Sequence, residues 1–155
     1  MKLIPLMLFL HLVAVTVWVG GMFFAYLCLR PVAAEQLQPP QRLTLWAGVF
    51  ERFFPWVWLA VALILGSGLV MFGVIGAIGR EGVPIHWHLM LATGILMMMI
   101  FAHVFFAPYR RRRRGVGAAD WSAAGAALNQ IRPLVGITLS LGLLTITIAT
   151  LGIYL

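Results

Sequence analysis

The sequence predicts an all-α membrane protein, a bundle of four transmembrane helices, on three observations. Of its 155 residues, 63% are hydrophobic and only 10% are charged, against about 45–50% and 25% in soluble domains. Its mean hydropathy is +1.01. Its apolar residues fall into four runs, near 4–29, 54–78, 85–108 and 133–155, each long enough to cross a hydrocarbon core of about 30 Å as helix. This is one integral membrane domain over 1–155, with no room for a separate soluble catalytic unit.

The first run opens with Lys2 ahead of apolar residues, as a secretory signal does, but it outlasts the apolar core of such a signal and reads as a span. Arg30 and Pro31 are its expected end. Gly79 and Arg80 close the second run, and Pro108 with the arginines Arg110–Arg114 closes the third. Pro133 sits where the first turn of a fourth helix tolerates it. Between runs, QRLTLWAGVFERFF repeats Leu45, Trp46, Val49, Phe50 and Phe53 at helical spacing, and DWSAAGAALNQIR does so with Trp121, Gly125, Leu128 and Ile131. Both predict short amphipathic interfacial helices.

Basic residues set the orientation. Arg30, Arg42, Arg52, Arg132 and the five-arginine run all lie in the first and third connections, and only Lys2 and Arg80 lie on the opposite side. By the positive-inside rule the arginine connections are cytoplasmic and both termini are periplasmic in a bacterial inner membrane. The net charge of +7 is thereby a topology and anionic-lipid signal. No folded basic domain accompanies it, so nucleic acid is not an expected partner.

Candidate chemistry rests on four histidines, because ionisable groups inside spans are costly. His11 lies 19 residues from Arg30 and His88 lies 22 from Arg110, roughly 28 and 33 Å of helix, which sets both in the outer half. His103 is 7 residues from Arg110, about 10 Å, and shares that level with no other histidine. His86 and His88 are two apart, about 200° around a helix, so only one can face the bundle. Depth matching selects His88 as the inward member and leaves His86 towards solvent. An extended segment after Pro84 would instead let both converge on an external ion.

Met7 precedes His11 by four and Met90 follows His86 by four, so each pair shares a helical face. Imidazole with thioether suits Cu(I), and either suits heme iron. Trp18, in WVGG, lies on the His11 face, and Gly66, Ser67 and Gly68 form a narrow strip that fits tight helix packing or a flat macrocycle. Glu35, Glu51, Glu81 and Asp120 are the only acids and all lie in connections, so no hydrolase site or intramembrane proton relay is indicated. The single Cys28 excludes an internal disulfide and a thiolate cluster.

HLVAVTVWVGGMFF, FFPWVW and HWHLMLATGILMMMIFAHVFFAPYRR, together spanning nearly the whole chain, resemble the small bacterial membrane proteins of the copper-resistance D (CopD) family. A more distant likeness is to the HemJ-type protoporphyrinogen oxidases, four-helix membrane proteins that bind heme b. His11, Trp18 and Gly21 match their first-helix motif. Trp87 and His88 approximate their third-helix Trp-Leu-His without the leucine, and Met90 replaces the lysine that commonly follows.

Two chemical readings follow. The first is a heme-b redox protein with His11 and His88 as axial ligands, Trp18 beside them, and Arg80 or Lys2 near the propionates. Such an oxidoreductase would exchange electrons with quinone, porphyrinogen or a periplasmic redox protein. The second is a copper-binding or copper-transport protein whose ligands come from His86, His88, Met90, Met7 and His11, with His103 as an isolated further candidate. A non-catalytic accessory subunit is the third reading, and the glycine strips also suit a homodimer.

Overall fold

The structure, a computed structural model, describes residues 3–78, 83–109 and 121–152. Four helices make up the fold: α1 (Leu3–Gln36), α2 (Pro39–Ile78), α3 (Ile85–Val104, prolonged by a π-helical turn over Phe105–Tyr109) and α4 (Trp121–Leu151). All four are long and apolar enough to cross a membrane, so the chain is a multi-pass membrane protein. Large apolar side chains such as Phe9, Phe24, Trp56, Ile85 and Met99 point outward, as they do when the surrounding solvent is hydrocarbon.

The helices outrun the expected spans at the arginine end. The segment after Arg30 continues as helix to Gln36, α2 begins at Pro39 with Pro55 inside it, and α4 begins at Trp121 with Pro133 inside it. The expected separate interfacial helices are therefore extra turns of the spanning helices. At 40 residues, α2 is about 60 Å long, twice the hydrocarbon thickness. Proline did not stop these helices. In α1 the wide turn over Phe24–Leu29 shifts the hydrogen-bond register just before Pro31, so the missing N–H meets no carbonyl in α register. Lys2, Gly79, Arg80 and Arg110–Arg114 lie outside the described residues.

α1 packs along α2, and α3 along α4. The two hairpins meet through an aromatic core nearer the arginine end. Phe54 is its hub, with ring centroids 4.7 Å from Tyr109, 5.1 Å from Phe50 and 5.4 Å from Phe101. Trp18 joins from α1, edge-on to Phe101 at 6.0 Å. Farther along, Gly142 of α4 lets Val19 of α1 and Met97 of α3 close in: a Cβ there would lie 3.0 and 3.2 Å from them.

Candidate metal centre at the histidine end

His11 projects from α1 onto α2. Its Nδ1 lies 3.0 Å from the Oγ of Ser67, a side chain only 4% exposed. The Ser67 hydroxyl donates its one proton to the Leu63 carbonyl a turn earlier, so towards the imidazole it can only accept. A proton on Nδ1 places the lone pair on Nε2, the tautomer a metal-binding histidine can use, and the Ile64 backbone is a second hydrogen-bond partner of the ring. Gly68 makes the approach possible, since a Cβ there would stand 3.3 Å from His11 Cε1. The imidazole thus occupies the Ser67–Gly68 part of the Gly-Ser-Gly strip, and Gly66 has open space beside it.

The two α3 histidines are oriented opposite to expectation. His86 is buried at 9% exposure, its Cβ against Gly152 of α4, where an added Cβ would approach to 2.7 Å. His88 is exposed. Its Nδ1 lies 3.3 Å from the Pro84 carbonyl, to which it donates, which places the lone pair on Nε2. Pro84 is extended, at ψ 147°, and the helix is regular from Ile85. The pair is therefore splayed around the axis, and the bare Gly152 backbone draws His86 inward.

Depth nonetheless brings His88 near the level of His11. The His88 ring packs edge-on to Phe72 at 5.2 Å, and Phe72 is four residues beyond the Gly68 that His11 meets, so the two imidazoles touch levels of α2 about one turn, roughly 6 Å of helix rise, apart. Met7 and Met90 are partly buried on α1 and α3. His103 is exposed near the other end of α3, and Trp18 is core. Arg80 is outside the described residues. Among the described residues no three His, Cys, Asp or Glu side chains gather as a metal site, so a site here draws on two imidazoles or on imidazole with thioether. Sequence reasoning missed Ser67, although a hydroxyl between two glycines facing a buried histidine was a usable signal.

Comparisons with known proteins agree with the copper resemblance. The copper transport protein CutJ of Bacillus subtilis (strain 168) is 30% identical over 130 residues, covering 79% of this chain and 23% of that protein. The chain thus spans about a quarter of the length of the curated relative it matches. No solved structure matches it. Neither the fold nor these matches support heme b or the HemJ likeness. The family model for copper resistance protein D, CopD, matches residues 47–151, more than half of the sequence, and the chain belongs to that family.

Proposed function

We propose that the protein binds Cu(I) as cargo at its histidine end and serves copper handling in the membrane. The observation that carries this reading is His11, an intramembrane imidazole whose Nδ1 meets Ser67, the contact that places its lone pair on Nε2. Imidazole and thioether are the soft-to-borderline ligands that retain Cu(I). His88 and Met90 on α3 and Met7 on α1 are the partners we assign to it, with His86 positioned by Gly152. The arginine-rich connections support a cytoplasmic location for the opposite end, so ions would reach this site from the periplasm. The CutJ match is a second support, since that relative is a copper transport protein.

The test is a Cu(I) titration of the detergent-purified protein against a chromophoric Cu(I) chelator, alongside its visible spectrum. Stoichiometric Cu(I) binding that weakens at least about tenfold in His11→Ala is expected. Wild-type affinity in that variant, or a Soret band in the isolated protein that His11→Ala abolishes, would overturn the proposal.

A further inference from the structure

A sizeable cavity lies at the other end of the molecule. It has a volume of about 680 Å³, is open on one side, and is lined by the end of α1 and the starts of α2 and α4. Three arginines line it, one from each helix: Arg30, Arg42 and Arg132. The Arg30 guanidinium lies over the Tyr26 ring, 4.9 Å from its centroid, which fixes that charge at the wall. Much of the remaining wall is apolar or aromatic, including buried Trp46. No carboxylate lines the cavity among the described residues. Three cations facing one hollow repel one another unless an anion joins them, and arginine forks match phosphate oxygens.

The depth indicates what kind of anion. Arg30 is 19 residues from His11, roughly 28 Å along the helix and close to the full hydrocarbon thickness, so the arginines sit at headgroup level. The apolar wall continues past exposed Leu27 towards the lipid face. No histidine or methionine lines the cavity, so it is not a second copper site of the kind proposed above. We infer that this cavity binds a net-anionic phosphate, with the phosphate held by Arg30, Arg42 and Arg132 and an attached apolar body lying along the aromatic wall. An anionic phospholipid supplies both parts, and a free phosphate supplies the first.

Native mass spectrometry and thermal unfolding of the full chain in detergent test this with three probes: phosphatidylglycerol, phosphatidylcholine and inorganic phosphate. The expected result is several-fold preferential retention of phosphatidylglycerol over phosphatidylcholine, with a matching rise in unfolding temperature. Both effects should vanish in the double variant Arg42→Gln/Arg132→Gln. They should persist in Arg52→Gln, which removes a nearby charge whose guanidinium instead contacts the Gly48 carbonyl of its own helix. Protection by inorganic phosphate alone, lost in the same double variant, would support the site with a free anion as its ligand. Gly125→Leu keeps every charge: an added Cβ there meets nothing within 4 Å, so the side chain grows into the cavity and should exclude the lipid. Equal retention of both lipids without phosphate protection overturns the inference. So does wild-type binding in the double variant or in Gly125→Leu, or equal loss in Arg52→Gln.

Discussion

Ser67→Ala probes the centre of the histidine end with the loss of one oxygen atom. In the wild type the 3.0 Å contact fixes the His11 tautomer, and the serine is almost wholly buried. Interhelical hydrogen bonds inside membranes contribute about 0.6 kcal/mol on average and reach about 1.7. A buried imidazole N–H left without any acceptor costs about 1–3 kcal/mol, and the Ile64 backbone beside the His11 ring keeps the expected loss in the lower part of that range. The serine's bond to Leu63 stays within one helix, and its loss orphans nothing that the α-helix does not already pair. The expected destabilisation is therefore about 1–2 kcal/mol by reversible denaturant unfolding. A double-mutant cycle with His11→Leu should return most of it as coupling between the two positions. If His11 is a copper ligand, removing its orienting partner should weaken Cu(I) binding by about 10–100-fold. A cycle with no coupling, together with unchanged copper affinity, would refute the tautomer argument and leave His11 as a packed core residue.

Other substitutions report on separate parts of the bundle. Gly142→Ala brings a methyl to 3.0 Å from Val19 and should cost about 1–3 kcal/mol, most of which Val19→Ala in the same chain should restore in the same unfolding assay. Phe54→Ala empties the hub of the aromatic core and should cost about 3–5 kcal/mol, seen as the largest fall in detergent unfolding temperature of any substitution named here. Thr145 donates to Thr93 across the α3–α4 interface at 2.8 Å, and Thr145→Val should cost only about 0.6 kcal/mol by chemical denaturation. His88→Ala, on an exposed face, should shift stability by less than about 0.5 kcal/mol while lowering Cu(I) affinity in the chelator competition.

Helix number and the clustering of charge at one end were legible because hydrocarbon forces long apolar runs into helix. Boundaries were not: Pro31 and Pro133 were weighed by rules for soluble helices, and the apolar run near 54–78 did not show that its helix already passes through Pro55. A wide turn before Pro31 absorbs its missing donor, and neighbouring helices support the segments that run through the other two. At the histidine end, counting residues gave depth but not direction. His86 and His88 were correctly unable to face the same way, yet which one turned inward depended on Gly152, a residue 66 positions from His86 in the chain. The arginines read only as topology signals also line a cavity, a convergence of three helices that no linear pattern announces.

The connection between α1 and α2 is only Leu37 and Gln38, and it bears on the order in which the protein is built. His11, Ser67 and Gly68 all belong to this first hairpin, which emerges from the ribosome ahead of α3. The imidazole can be seated and its proton assigned while the second hairpin is still being made. What arrives afterwards is the other half of the proposed site, docking onto a first half that is already set.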